Sequence, residues 1–409
     1  MALSVLMVGI DVSLRSHHVH FMDEQGSSLR SFSVSNDLPG AQCILDAILT
    51  TAKRHSCSKV RIGMEATSNL GWHLAHFLKR ELSALSPDVF VLNARRVARF
   101  KRGYDTLPKT DSLDAWVIAD QLRFGRLPHA MQESVQFQAL QRLTRTRFHI
   151  MQTIARDKTY FVNQVFLKFS GLRQDNPFSK MFGSTCLALL QELEPEQIAA
   201  MPLEKLVDFL QENGKNRFAE PEKLAQLLHK LARSSYRLDK SLADPVNVSL
   251  ASILNVIRAM EAEVARLDKE IERLLKGIPQ TLTSVKGIGP VFAAGILAEI
   301  GDIKRFPKHS ALAKFAGLVW SRYQSGEFES QETRLMFTGN RYLRYYLIQA
   351  ANLVRQHDPE YAAFYQKKYH EVPKHQHKRA LVMTARKLVR LVFMLLKTNR
   401  LYIPPERRG

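Results

Sequence analysis

The spacing of apolar and polar positions divides the chain into stretches of different period. Ser4 to Asp11 is a short apolar strand that ends in an acid. His18–Met22 and Arg30–Val34 alternate like strands, with Asp23-Glu-Gln-Gly26 as the turn between them. Leu38 to Lys53 has helical periodicity. Lys59 to Glu65 is a second strand of the buried type, and it too ends in an acid. Thr67-Ser-Asn69 is expected to cap a helix that runs through Glu81, Val89–Leu92 to form another strand, and a helix to begin near Asp111. Strands alternating with helices imply an α/β fold whose sheet has parallel members, with ligands at the carboxyl ends of the strands.

Beyond that the period is helical almost throughout. Residues 133–169 read as one long helix. The Pro- and Gly-punctuated stretch 171–245 carries short helical pieces at 202–213 and 221–234 and reads as a helical insert. Ile253, Ile257, Met260, Val264, Leu267, Ile271 and Leu274 then recur at four and three residues, a heptad seam. Such a seam packs on its own domain, on the 133–169 helix as a hairpin, or on a second copy as a zipper. The segment from Gly277 is helical. The expected division is an α/β domain at 1–130, a helical connector with a coiled coil at 131–276, and a mainly α-helical domain at 277–409.

Charge narrows the function. The 409 residues hold 59 Lys+Arg against 39 Asp+Glu, a net +20, which points to a polyanion and most often to nucleic acid. Residues 366–409 carry twelve Lys/Arg against two Glu, half of that excess. The late apolar run Leu391–Leu396 is far short of the ~20 residues a membrane span needs. The apolar amino terminus lacks a basic n-region and contains Asp11, so no signal peptide is expected. Cys43, Cys57 and Cys186 form no Cys-x-x-Cys pair, which argues against a zinc ribbon or a disulfide framework and suits reduced thiols in the cytoplasm.

Four constellations carry candidate chemistry. Asp11 and Glu65 end strands at the ligand-binding edge, and Asp111 and Asp114 share a face at a helix start. Acids in a first helical turn also suit the helix dipole. Four acids brought to one edge, however, call for a cation, and Mg²⁺ (or Mn²⁺) is the usual partner where phosphate is the substrate. Arg95, Arg96, Arg99, Lys101 and Arg102 form either a solvated helix face or a phosphate track. Lys286, Gly287 and Gly289 lie in a tight Gly-x-Gly turn into a helix, either a plain turn or a phosphate contact of the helix-hairpin-helix kind. Ser325 sits in an expected loop among Arg322, Arg334, Arg341 and Arg344; a Ser-Gly pair there serves the turn or supplies a nucleophile that arginine or metal charge assists.

The order of these pieces is specific. Val8-Gly-Ile-Asp-Val12, Gly63-Met-Glu-Ala66, Lys109-Thr-Asp-Ser-Leu-Asp-Ala115, Val285-Lys-Gly-Ile-Gly-Pro290, Ala316-Gly-Leu318 with Gln324-Ser-Gly326, and Gly339-Asn-Arg-Tyr-Leu-Arg344 span nearly the whole chain. In this order the chain resembles the bacterial insertion-sequence transposases of the DEDD type, relatives of the Piv DNA invertase that are described as bridge-RNA-guided recombinases. Trp320 and Thr338 depart from the family's usual proline and basic residue. The resemblance implies an amino-terminal RuvC-like, RNase H-type domain with Asp11, Glu65, Asp111 and Asp114 as its metal-binding quartet. It also implies a coiled-coil connector and a carboxy-terminal transposase domain with Ser325 as nucleophile. The partners implied are donor and target DNA and a non-coding bridge RNA. A homo-oligomer, dimer or tetramer, is expected, because the connector separates serine and acids within one chain. The setting would be the bacterial cytoplasm, at the nucleoid when DNA is bound. A RuvC-like structure-specific endonuclease with a structural Ser325, or a non-enzymatic nucleic-acid scaffold, are the alternatives.

Overall fold

The computed structural model describes residues 5–67, 69–104, 110–128, 130, 134–320, 335–336 and 338–404, together with the backbone of 324–325 and 328–329. The chain divides into two compact units, 1–133 and 134–409.

The first unit is a mixed sheet with helices on both faces. Its strands are β1 (Val5–Val12), β2 (Ser16–Met22), β3 (Ser28–Ser35), β4 (Lys59–Glu65) and β5 (Asp88–Leu92). They lie in the order β3-β2-β1-β4-β5, with β2 antiparallel to both its neighbours and β1, β4 and β5 mutually parallel. This arrangement is consistent with the RNase H-type domain that the resemblance implies. Helices α1 (Leu38–Arg54) and α2 (Trp72–Glu81) cover one face, burying Leu6, Val8, Ile10 and Val12 of β1. Helices α3 (Ala94–Lys101) and α4 (Asp111–Phe124) cover the other, over Met7 and Met22. The expected cap at Thr67–Asn69 is not the start of α2. The chain turns there, with Leu70 N–H donating to Thr67 O at 3.2 Å, and the helix starts after Gly71, without a side-chain cap. A Cβ at Gly71 would meet Met64 Sδ at 3.0 Å, so close packing on β4 sets the entry instead.

Two glycines decide how α4 lies. Alternation along a strand puts Gly9 on the same face as Asp11, and Gly63 on the same face as Glu65. A Cβ at Gly9 would stand 2.1 Å from Ala115 O, and one at Gly63 would stand 2.9 Å from Leu122 Cδ2. The backbone of α4 therefore rests directly on β1, which no other residue at Gly9 permits.

The second unit is helical. α5 (Val135–Lys168) descends into α6 (Ser170–Gln174), α7 (Ser184–Glu192), α8 (Pro195–Ala200), α9 (Leu203–Gly214) and α10 (Pro221–Ser234), and α11 (Lys240–Leu275) returns alongside α5. Arg147 Nη2 bonds Asp268 Oδ2 at 3.1 Å and Lys158 Nζ bonds Glu261 Oε1 at 2.6 Å, so the pair runs antiparallel. The seam residues Ile257, Val264 and Ile271 are buried within the chain, where α11 packs along α5 as a hairpin, and Ile253, Met260, Leu267 and Leu274 are half-buried. The helix also begins earlier than the seam, at Lys240. Asp239 caps it by accepting from Ser241 N–H at 2.8 Å, and Pro245, expected to end the insert, lies inside it.

The insert and the adjoining halves of α5 and α11 share one core, around Phe161, Phe169 and Leu228. The other core gathers Leu140 and Ile271 with α12 (Pro290–Ile300), α13 (His309–Phe315), α14 (Arg341–His357), α15 (Pro359–His370) and α16 (Gln376–Thr398). Two short strands, β6 (Gln324–Ser325) and β7 (Phe328–Glu329), pair antiparallel. Among the described residues no helix is long and apolar enough to cross a membrane.

Replacing Gly9 by alanine forces β1 and α4 apart. The cost expected is at least the ~1–3 kcal/mol typical of an overpacked core. It should appear as a lower urea midpoint for the wild-type and Gly9→Ala pair, and equal midpoints would show that α4 yields freely.

Candidate active site

The four acids meet at one end of the sheet. Asp11 and Glu65 follow the paired residues Ile10 and Met64 of two parallel strands, and α4 delivers Asp111 and Asp114 above them through its contact with Gly9. Burial first, then the charges of Asp114 and Asp111, hold the Asp11 carboxyl above its ordinary range. Burial, then Asp11 and Asp114, do the same for Glu65. Asp111 stands at the rim, its side chain 73% exposed, with its Oδ2 3.9 Å from Nε2 of His18, the residue paired with Asp11 across the β1–β2 ladder.

The basic run before α4 splits into two roles. Lys101 turns inward and donates from Nζ to Asp114 Oδ1. Arg96 donates to Arg126 O at 2.6 Å, beyond the end of α4. Arg95, Arg99 and Arg102 recur at i, i+4 and i+7 on the exposed side of the helix segment, and no acid pairs with them among the described residues.

The donor set suits a hard divalent cation. It is all oxygen, and the neighbouring carboxylates add to burial in raising the proton affinity of Asp11 and Glu65, as ligands lacking enough positive charge do. As the side chains stand, no group of three His, Cys, Asp or Glu among the described residues is gathered tightly enough to hold an ion. Lys101 draws Asp114 to itself, and Asp111 lies toward His18.

Ser325 belongs to the other unit. The segment expected as a loop is paired backbone: Trp320 bridges Leu335, Met336 N–H donates to Val319 O at 2.8 Å, and Ser325 pairs with Phe328. Arg322 and Arg334 lie outside the described residues, as does Lys109. At the base of this arm Gly317 and Gly339 touch; a Cβ on Gly339 would stand 2.6 Å from Gly317 N, and both have positive φ, +69° and +146°. A Cβ on Gly317 would also strike Arg344 Nη1, at 2.4 Å, and that guanidinium reaches toward Ala316 O. Arg341 stays exposed and lies over the Tyr342 ring, 4.9 Å from its centroid. Gly287 serves packing, since a Cβ there would meet Val354 N of α14 at 2.6 Å, while Lys286 and Gly289 are exposed.

The arm is held by a residue that the sequence reading passed over. Glu299, its side chain 1% exposed in the apolar helix α12, accepts Arg145 Nε at 2.7 Å and Nη2 at 2.9 Å, and Asn340 Nδ2 at 2.6 Å. Asn340 caps α14 through Tyr342 and Leu343 N–H, both at 3.0 Å, and its own N–H donates to Phe315 O at 2.7 Å. An acid inside an otherwise apolar helical run was the available signal; its partner Arg145 is too distant in sequence to be read.

An edge of acids beside a basic helix is the kind of site that handles phosphates, and likeness to other proteins makes the class specific. A family model for transposases of the DEDD type of IS110 matches residues 8–167, and one for the transposase IS116/IS110/IS902 family matches residues 279–366. The chain is thus similar to transposases of this kind in both its amino-terminal and its carboxy-terminal part. It is 27% identical, over 82% of its length and 80% of the relative's, to a mini-circle protein of Streptomyces coelicolor to which the role of transposase for IS117 is ascribed. It is 25% identical to a 44.8 kDa protein of insertion element IS116 from Streptomyces clavuligerus, over 98% of its own length and 96% of the relative's. The pilin gene-inverting protein of Moraxella bovis is 28% identical over 35% of this chain and 46% of its own.

Two outcomes follow. A raised carboxylate pKa means that the folded state binds the proton more tightly than the unfolded one. Stability therefore falls as pH rises from the ordinary carboxylate range through the raised value, and the full penalty is present at neutral pH. In EDTA, Asp11→Asn should melt above wild type at neutral pH, with the gap closing toward pH ~4; parallel melting curves at all pH would contradict the mutual repulsion. Glu299→Ala leaves the half-exposed Arg145 and the Asn340 amide without their shared acceptor. It should cost about 1–3 kcal/mol in urea denaturation, and a loss within ~0.5 kcal/mol of zero, the scale of an ordinary surface substitution, would show that Glu299 is not a structural node.

Proposed function

We propose that the chain is a DNA transposase and recombinase of an insertion sequence, working through metal-assisted phosphoryl transfer and a covalent phosphoserine. The gathering of Asp11, Glu65, Asp111 and Asp114 at one sheet edge, in a chain similar to transposases of this kind, carries the reading. Those four carboxylates would hold Mg²⁺ or Mn²⁺, which when bound would supply the charge that eases attack on a phosphodiester. Lys101 keeps Asp114 in place at the sheet edge. Arg95, Arg99 and Arg102 line the approach and take the DNA backbone by its phosphates.

Ser325 Oγ attacks phosphorus. The O–P bond to serine forms as one bridging P–O bond of the strand breaks, the serine proton is released, and the departing oxygen takes up a proton. The phosphate ester keeps the energy of the broken link, so a hydroxyl from a second strand reverses the step and rejoins DNA. Hydrolysis would not need this, which favours recombination over an endonuclease. Arg341 and Arg344 flank the arm and steady the phosphate's charge. The two acting groups lie in different parts of the chain, at 1–130 and 277–409, and a dimer or tetramer brings the serine of one copy to the acids of another. Donor and target DNA are paired through a bridge RNA, in the bacterial cytoplasm and at the nucleoid.

Ser325→Ala removes the attacking oxygen alone. Wild type incubated with labelled DNA and Mg²⁺ should give a protease-sensitive adduct on a denaturing gel, mapped to Ser325 by mass spectrometry. Ser325→Ala should bind DNA as before, without adduct or exchange, and Asp114→Ala should likewise lose both. Strand cleavage by Ser325→Ala at the wild-type rate, with no adduct in either protein, would replace this reading with that of a metal-dependent endonuclease.

A further inference from the structure

The basic carboxy-terminal segment is not uniform once folded. Lys368 and Arg379 are spent on Glu371, and Lys387 bonds Glu360 at 2.8 Å while covering the Tyr361 and Phe364 rings. Arg386, Arg390 and Lys397 are different. They recur with Phe393 at i, i+4, i+7 and i+11 along α16, one stripe about 16 Å long at 1.5 Å per residue. α13 packs on this helix, and its His309 ring lies 6.5 Å from that of Phe393, bringing Lys308 alongside. No acid pairs with any of these cations among the described residues. Arg386 Nη1 and His309 Nδ1 are shielded from water and have no hydrogen-bond partner.

Such an arrangement is costly in the isolated chain. Like charges repel, and buried donors normally find acceptors. Burial, then Arg390, Arg386 and Lys308, depress the affinity of His309 for a proton, and burial and Arg390 do so for Arg386. A group that is negative, rich in acceptor oxygens and repeated along a line relieves every one of these strains.

We infer that the α13–α16 face, centred on Arg386 and Arg390, is a docking site for the phosphate backbone of duplex DNA. Single-stranded RNA is typically held by open aromatic platforms on which bases stack. The aromatic ring of this stripe, Phe393, is instead edged by His309 and covered by the Lys397 ammonium 5.4 Å from its centroid. The stripe thus presents point charges to a backbone and no stacking surface. The inference rests on the reading of the chain as DNA-acting, yet it concerns a surface separate from the acids and from Ser325.

The test uses the full chain and a random-sequence duplex, with fluorescence anisotropy across a salt series in EDTA so that no cleavage intervenes. Wild type should bind with a steep loss of affinity in salt. Arg386→Met with Arg390→Met should weaken binding about tenfold or more and reduce the slope of log K against log salt by about 2, one per phosphate contact. Arg386→Met alone should melt at or above the wild-type temperature, because an apolar side chain replaces a half-buried cation whose Nη1 has no hydrogen-bond partner. If the double variant misfolds, the exposed Arg390→Met decides, with a slope reduced by about 1. Lys387→Met should leave the slope unchanged. An unaltered slope in the Arg386 and Arg390 variants overturns the inference while leaving DNA binding elsewhere intact. Loss of affinity for an RNA strand alone, with duplex binding unchanged, overturns it too. Failure of wild type to bind duplex at all would sink both this and the DNA-acting reading.

Discussion

The contact between the Gly9 backbone and the Ala115 carbonyl fixes the rest of the acidic site. A helix packed over side chains stands well clear of a sheet, whereas α4 lies on β1 at a place where even a methyl group has no room. That closeness carries the first turn of α4 down to the strand ends. Asp111 and Asp114 thereby enter the field of Asp11, and their charges are felt in its proton affinity. The strand glycines and the strand acids alternate on one face, so the same two-residue period that creates the bed for the helix aims the carboxylates beneath its start.

Electrostatic tension of opposite sign is built into both units. In the first, acids repel one another and Lys101 gives partial relief. In the second, cations of α16 and α13 repel one another without relief from an acid among the described residues. Neither arrangement helps folding by itself. Each is held by apolar packing beneath it: Val117, Ile118 and Leu122 under α4, and Leu388, Val389 and Val392 under α16.

Much of the first unit was legible in the sequence because its signals are local. Apolar strands that end in Asp11 and Glu65, and an acid pair opening a helix, can be read within a few residues each. The start of α2 was misplaced because packing of Gly71 on Met64, rather than a polar cap, sets it. The seam on α11 was visible, but its partner was not, since a heptad pattern is the same whether a neighbouring helix belongs to one chain or two. The pairing around Ser325 leaves no hydrophobic alternation in the sequence, because it rests on a few backbone bonds and a clamp of glycines. Glu299 was missed for a related reason. Its meaning depends on Arg145 and Asn340, which reach it from distant parts of the chain. Likewise the tail's excess charge was plain from composition, while its division into paired and unpaired cations needed three helices in place.

The hairpin of α5 and α11 has a consequence for where a chain of this architecture can vary in length. The two helices are joined through five short helices that share one core, around Phe169 and Leu228, with the adjoining halves of α5 and α11, while the ion pairs of Arg147 with Asp268 and Lys158 with Glu261 link the long helices directly. Closing a connection between two fixed ends grows costlier only with the logarithm of its length, about 0.6 kcal/mol for each doubling. The connections between the short helices can therefore lengthen or shrink while the apolar faces that complete the shared core stay in place, which makes those connections, rather than the helices themselves, the natural place to add a new recognition surface.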